Sequence, residues 1–512
     1  MTDRTAACYL FVFLLCIYLL TAGGHYGGDG FWNYLTARSL VIDGDLKISD
    51  QTFAIPEMQR QYEAVASSGR IHSKYGLGLP LLEVPFFAVG HFLSGIIPKI
   101  PADYLTMFTV SMTNVVLCAL WGVLFFFTVC LLGYSRPCVF ILTFIFALGT
   151  MAFPYSGYGF SEPLVGAGIL LSVYGAIAHR KRAAVFDLAI VGIGLGLAVS
   201  TKLYALIVLP VLVYYLRSEI KNTRKMAALF LPLFLFFVLI ACHNWARYGN
   251  VFLTGYHLDI LSQQGGYFAF WPSQIVTALY GLFLSTGRGL LFFLPVVCVF
   301  PWAYRACKTS HPDEAFLFLS LIAVHIVLVA GMIDWHGGSC WGPRYLLPVV
   351  PFFILPSGEL IARSQTWMRC VVALGFAGLV AQLPGVLANP HLFVRFAQDK
   401  EMGDLLFVPG QTGDLVFSPY LSPILGGYYQ IVSGLVRLFT GQSLTYTISS
   451  STTRSITASL ESYDVIDVWW LNAMHTGMLG TGMIFTLLLF VLILILTAVY
   501  TAYQFFQWQR QS

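Results

Sequence analysis

Long apolar runs recur along the whole chain, and a run of that kind has two places to go, the core of a large domain or the interior of a bilayer. Roughly 17–25 apolar residues in helical form cross the hydrocarbon layer, where each backbone N–H and C=O must be bonded within the segment itself. Twelve runs stand out: 6–23, 104–132, 138–153, 162–178, 184–200, 203–216, 226–242, 278–303, 314–332, 344–358, 369–388 and 476–503. Charge content decides between the two destinations. A soluble domain carries about 25% charged residues, whereas this chain of 512 residues carries 10%, with 57% hydrophobic. The sequence therefore predicts an all-α polytopic membrane protein with about 12 transmembrane helices. Its net charge of +4 is small and dispersed, which argues against a nucleic-acid partner.

Where the charges sit sets the orientation, because cytoplasmic loops hold the excess of Lys and Arg. The clusters are "HRKR" at 179–182, "RSEIKNTRK" at 217–225, "RACK" at 305–308, and Arg363 with Arg369. A further apolar stretch, 79–97, contains Pro80, Glu83, Pro85 and His91. All clusters fall on one side only if 79–97 does not span and the N-terminus is inside. That stretch is therefore expected to be juxtamembrane or re-entrant, and 184–216 to form two short spans turning at Lys202. The long loops then lie outside: 24–103, 154–161, 243–277, 333–343 and 389–475. The organisation that follows is a core of 1–388 including the first outer loop 24–103, an outer insert 389–475, and a last helix with a cytoplasmic tail, 476–512. Run 6–23 also has small residues near its end, "LLTAGG", as a signal peptide would, but only Arg4 precedes it, so a retained span is expected. Most cysteines sit inside apolar runs as small core residues. Cys242 and Cys340 are the pair whose positions would allow a bridge, and no zinc-ligand spacing occurs.

Chemistry concentrates in the outer loops. "AGGHYGGDGFWNYL", 22–35, places Asp29 among glycines and aromatics just beyond the first span. A carboxylate held at that depth is expensive unless paired or used. Asp43, Asp45 and Asp50 read instead as solvated loop charges around an Asp-Gly-Asp turn. "SGRIHSKYGLGLPLLEVPFF", 68–87, adds the cation Lys74 and its neighbour Tyr75. In "FPYSGYGFSEPL", Glu162 is either a helix N-terminal acid before Pro163 or part of a site. "CHNWARYGNVFLTGYH" offers Asn244, Arg247 and Tyr256, and "LFLSTGRGLLFFLP" buries Arg288 in apolar sequence. "MIDWHGGSCWGPRYLLP", 332–348, packs Trp335, His336, Trp341 and Arg344 between two spans. Arg344 on the outer side departs from the positive-inside pattern, and a guanidinium fork suits a phosphate. Lys202 is either a fifth cation of this face or a turn residue. One loop histidine is not a metal site, so no metal and no cofactor is expected.

These stretches together resemble the GT-C superfamily of integral membrane glycosyltransferases, in the branch related to protein mannosyltransferases and aminoarabinose transferases. The likeness rests on "GGDGFWNYL", "SKYGLGLPLLEVPFF", "PYSGYGFSEPL", "HNWARYGN" with "TGY", "STGRGLL" and "WHGGSCWGPRYLLPVVP". It implies transfer of a sugar from a polyprenyl-phosphate carrier to a glycan, lipid or protein acceptor at the outer face of the plasma (inner) membrane. Asp29 would be the catalytic base. Lys74, Arg247, Arg288 and Arg344 would bind the donor phosphate, and Tyr75, Glu162, Asn244, Tyr256, Trp335 and His336 the substrates. Relatives often pair two acids in the first loop, but Asp29 has no acidic neighbour, which favours single-base chemistry over a metal. The physical logic agrees: the acceptor needs a base and the leaving phosphate needs positive charge. The sugar–phosphate bond supplies the energy, and no nucleotide-binding GxxxxGK[ST] is present. The alternative function is a transporter, flippase or polymerase of lipid-linked glycans. A transporter would place ionisable groups near the midplane rather than at one face.

Overall fold

A computed structural model gives the fold and describes residues 1–23, 28–48, 63–65, 71–258, 274–332, 334–338, 340–389, 416–440, 444–450, 453–460, 466–475 and 479–511. The chain begins with α1 (Asp3–Thr21) and α2 (Asp29–Ile42), followed by a short antiparallel pair, β1 (Glu63–Val65) and β2 (Ile71–Ser73). Then come α3 (Gly78–Ile96), α4 (Ala102–Leu132), α5 (Arg136–Leu148), the single turn α6 (Ala152–Tyr155), α7 (Glu162–Arg182) and α8 (Val185–Thr201). A 3₁₀ segment, Leu203–Val208, leads into α9 (Leu209–Tyr215), α10 (Thr223–Tyr248) and the turn α11 (Gly255–Leu258). The second half holds α12 (Ile275–Leu284), α13 (Leu290–Phe293), α14 (Phe300–Ser310), α15 (Pro312–Ala330), α16 (Val350–Ile354), α17 (Ser357–Arg363) and α18 (Gln365–Leu387). After these stand α19 (Pro423–Thr440), the antiparallel hairpin β3 (Leu444–Ser450) and β4 (Thr453–Leu460), α20 (Trp469–His475) and α21 (Thr481–Arg510).

Among the described residues nine helical segments are long and apolar enough to cross a membrane, and four shorter apolar ones accompany them. The chain is a multi-pass α-helical membrane protein. Several expected spans are broken, and the sequence shows why. The run 278–303 is interrupted where α12 stops at Ser285 and residues 286–288 turn, then again at Pro295 and Pro301. Arg344–Arg363 is a 3₁₀ segment followed by two short helices, because Pro348, Pro351 and Pro356 each remove a helix donor. The split at Lys202 takes the form of one extended residue, φ −139° and ψ 112°, between α8 and the 3₁₀ segment. Across the α7–α8 pair Ser172 Oγ donates to the Val191 carbonyl at 3.0 Å, a polar tie between two helices in apolar surroundings.

The two ends of the bundle differ in charge. At one end Arg180 pairs with Asp313, Lys181 donates to the Leu131 carbonyl, Lys225 pairs with Glu219 and Arg363 donates to Thr309. At the opposite end lie the start of α2, the turn before α7, Lys202 and the loop 334–344. The helix α3 is itself long and apolar enough to cross, where the sequence reads a juxtamembrane segment. Its first residue sits against Thr201 at the end of α8, and its Gly90 sits against Leu105, Thr106 and Thr109 at the start of α4. Both of those helix ends belong to the end that carries Asp29. Trp469 and Trp470 donate through their indole N–H groups to the carbonyls of Leu19 and Leu20, satisfying acceptors that the last turn of α1 leaves open. All ten cysteines are free, Cys242 and Cys340 included.

The charge asymmetry generates an orientation test. Lys181→Cys, in a background lacking the exposed Cys8, Cys242 and Cys298, is expected to react with an impermeant maleimide only after cells are permeabilised. Labelling of position 181 in intact cells would invert the orientation and place Asp29 at the cytoplasmic side.

Candidate active site

Two close backbone approaches assemble the site. A Cβ on Gly30 would stand 2.8 Å from the Gly159 carbonyl oxygen, so only glycine lets the first turn of α2 press on the loop before α7. This brings Asp29 towards Glu162. Likewise a Cβ on Gly76 would stand 2.5 Å from the Ser200 carbonyl oxygen, which seats the 73–77 turn on the end of α8 and carries Tyr75 to Lys202.

The result is a buried group of two acids and two cations. Arg344 Nη1 lies 3.3 Å and Lys202 Nζ 3.9 Å from Asp29 Oδ2. The same two cations reach Glu162 Oε1, Arg344 Nε at 3.9 Å and Lys202 Nζ at 3.7 Å. Asp29 is 4% exposed and Glu162 0%, and neither Glu162 oxygen accepts a hydrogen bond among the described residues. Tyr75 donates its O–H to Asp29 Oδ1 at 2.6 Å, and the Lys202 ammonium lies 5.3 Å from the centre of the Tyr75 ring. Tyr256 stands edge-on to Tyr75 with ring centres 6.2 Å apart. The Arg344 guanidinium stacks over Phe160 at 4.6 Å and donates to the Tyr345 hydroxyl, which in turn donates to Asp334. Asp334 pairs with His336 at 3.2 Å.

Burial would push the Asp29 carboxyl up, but the charges of Arg344 and Lys202, the Tyr75 hydrogen bond and the charge of Lys74 outweigh it and hold the group below its ordinary value. The resting site therefore contains an ionised carboxylate gripped by cations.

The other expected residues have different neighbours. Arg247 donates to the carbonyls of Ser73 and Tyr75 at 2.7 and 3.4 Å and to Asn244 Oδ1 at 3.2 Å. Asn244 also donates to the Val251 carbonyl. Together they clamp the turn that presents Lys74 and Tyr75. Arg288 donates to the carbonyls of Gly287, Gly338 and Cys340, bracing the 334–344 loop from behind. The six-membered ring of Trp335 sits against Gly281, and Lys74 is buried beside the Tyr75 ring, 5.8 Å from its centre. Sequence reasoning left Lys202 open as a turn residue and overlooked Tyr345, Phe160 and Asp334. The signal for Lys202 was present, a lone lysine between two short apolar runs. A tyrosine next to Arg344 carries no such signal. No group of three or more metal-type ligands occurs among the described residues.

Residues 58–255 match the family model described as dolichyl-phosphate-mannose-protein mannosyltransferase. The resemblance read from the motifs thus meets an independent comparison over a stretch that contains Lys74, Tyr75, Glu162, Lys202 and Arg247. Among solved structures the chain is similar to ArnT from Cupriavidus metallidurans bound to undecaprenyl phosphate. Identity is 13% and the TM-score 0.47, with 85% of this chain and 78% of that one covered. The apo state of the same protein gives 13% identity, a TM-score of 0.48 and coverage of 87% and 81%. No curated protein matches the chain in sequence.

The charge group predicts a specific stability pattern. Lys202→Met leaves Arg344 as the one ion-pair partner, among the described residues, of two buried carboxylates and is expected to destabilise by about 3–5 kcal/mol. Adding Glu162→Gln should recover most of that loss, measured by thermal unfolding in detergent. The Asp29 carboxyl lies lower folded than unfolded, so its contribution is present above its unfolded value near ~3.9 and is lost as pH falls through the folded one. Asp29→Asn should remove that acid-side dependence. An unchanged acid limb would show that the carboxylate is not held by its neighbours.

Proposed function

We propose that this chain is a membrane glycosyltransferase that moves a sugar from a polyprenyl-phosphate carrier to an acceptor hydroxyl or amine at the outer face of the membrane. The observation that carries this reading is the buried Asp29, held by Arg344, Lys202 and Tyr75 at the end of the bundle opposite the basic clusters. The match of residues 58–255 to a family named for transfer of mannose from dolichyl phosphate supports it.

In the proposed reaction the acceptor heteroatom attacks the anomeric carbon and its proton passes to Asp29. The bond from that carbon to the phosphate oxygen breaks, and its electron pair leaves with the carrier phosphate. Charge grows on that oxygen in an oxocarbenium-like transition state, and fixed cations aimed at it lower the barrier most in a site shielded from water. Arg344 supplies a two-pronged donor and Lys202 a point charge; Lys74 is a third cation beside them. Glu162 holds the first two in place while no phosphate is bound. An arriving phosphate draws on the cations that grip Asp29, and as their hold relaxes the carboxylate becomes the stronger base. In this scheme Arg247 and Arg288 shape the loops behind the site rather than meet the phosphate.

Purified protein offered a panel of polyprenyl-phosphate hexoses and pentoses tests the reading directly: transfer or donor hydrolysis from one of them is expected, and inertness towards all with intact binding would favour a carrier of lipid-linked glycans. Asp29→Asn should bind donor nearly as the wild type does and lose roughly 10²–10⁴-fold in turnover. Arg344→Lys should keep only part of the donor affinity, because the fork is lost. Wild-type turnover by Asp29→Asn would remove the base from the mechanism.

A further inference from the structure

Among the described residues, one polar side chain beside the catalytic group has nothing to bond. The helix α2 is buried along most of its length, and its polar side chains have partners one after another. Asp29 has Tyr75, Arg344 and Lys202; Tyr34 meets the Thr106 hydroxyl at 2.9 Å; Thr36 donates to the Trp32 carbonyl; Ser39 donates to Asp45; Arg38 pairs with Asp43. Asn33 is the exception. It is 1% exposed, and neither its Oδ1 nor its Nδ2 has a hydrogen-bond partner among the described residues. A buried amide left unmade on both sides lowers stability, and a leucine of similar size would avoid the loss.

Its position says what such an amide is for. Asn33 follows Asp29 by four residues in the same helix, so both lie on one face, with Cβ atoms about 5–6 Å apart. That separation is on the scale of one sugar ring, so a ring whose reacting atom meets Asp29 would bring further hydroxyls within reach of Asn33. A carboxamide offers a donor and an acceptor in one plane, which matches two adjacent hydroxyls, one accepting from Nδ2 and one donating to Oδ1. We propose that Asn33 is a substrate-positioning residue that binds a pair of neighbouring sugar hydroxyls next to the atom handled by Asp29. The sugar is that of the donor or of a glycan acceptor; the chemistry recognised is the same. The proposal rests on the transferase reading above.

The test compares Asn33→Leu and Asn33→Ala with the wild type, using the carrier-linked sugar that the wild type turns over fastest. Each protein is assayed with that sugar, with its singly deoxygenated forms, and with singly deoxygenated acceptors. Asn33→Leu is expected to unfold at the same temperature as the wild type or higher, since it removes an unsatisfied amide. Its kcat/KM on the full substrate should fall by roughly ten- to a hundredfold, the worth of two neutral hydrogen bonds. The penalty for removing the recognised hydroxyl should vanish in both variants, in the donor arm or the acceptor arm according to which sugar Asn33 holds. Unchanged kcat/KM, or a fall that multiplies with the deoxy penalty at every position in both arms, would overturn the proposal. Absence of transfer by the wild type from the whole panel would overturn the transferase reading instead.

Discussion

Two carboxylates and two cations share one buried space between α2, α7, the end of α8 and the start of the 344–349 segment, and the neighbouring loops are arranged around keeping them there. Removing any one member strands the others in a medium that solvates charge poorly. Hydrophobic replacements of the same volume often match or exceed the stability of such a group, so stability alone is a poor reason for its presence. A charge cluster at a buried helix junction is better explained by what it does to a ligand.

The backbone around the group is shaped to the same end. Gly30 and Gly76 let two segments approach their neighbours more closely than any side chain would allow. Arg247 and Arg288 then fix the two loops that these approaches leave hanging, each by bonding carbonyls that no helix satisfies. Five rigid donors make a guanidinium suited to that task. The arrangement separates two uses of arginine within one face: Arg344 meets carboxylates, while Arg247 and Arg288 meet backbone.

That separation marks where sequence reasoning reached and where it stopped. The multi-pass helical character was legible because a bilayer imposes length and hydropathy directly, and Asp29 and Arg344 stood out because each occupies a place where charge is expensive. Arg247 and Arg288 carried the same signal, yet it is silent on whether the partner is a ligand or a carbonyl 52 residues away, as Cys340 is from Arg288. Glu162 and Lys202 remained open because a helix N-terminal acid and a turn lysine explain them equally well until the fold brings them within 3.7 Å. Asn33 was invisible, since an uncharged amide inside "GFWNYL" breaks no hydropathy pattern; only the accounting of its missing partners reveals it. The breaks within 278–303 and 344–358 were foreshadowed by Pro295, Pro301, Pro348, Pro351 and Pro356, but periodicity does not say how the broken pieces continue.

On the proposed reaction the charge group also sets an order of events. A carboxylate gripped by Arg344 and Lys202 is ionised but weakly basic, because protonating it would sacrifice its attraction to both. A phosphate cannot enter between those cations without weakening that attraction. The two requirements of the chemistry, positive charge for the leaving group and a free base for the acceptor, are thus met by one displacement rather than two. An acceptor arriving first would meet a base that is still engaged. Glu162 keeps this arrangement reversible: when the spent carrier leaves, a carboxylate 3.7 to 3.9 Å from both cations is already in place to hold them, and Asp29, its proton passed to the departing phosphate or to water, returns to its resting partners. A single acid could not do this, because it would have to be the base and the counter-ion at once, and that division of labour is a physical reason for two carboxylates where the reaction needs only one base.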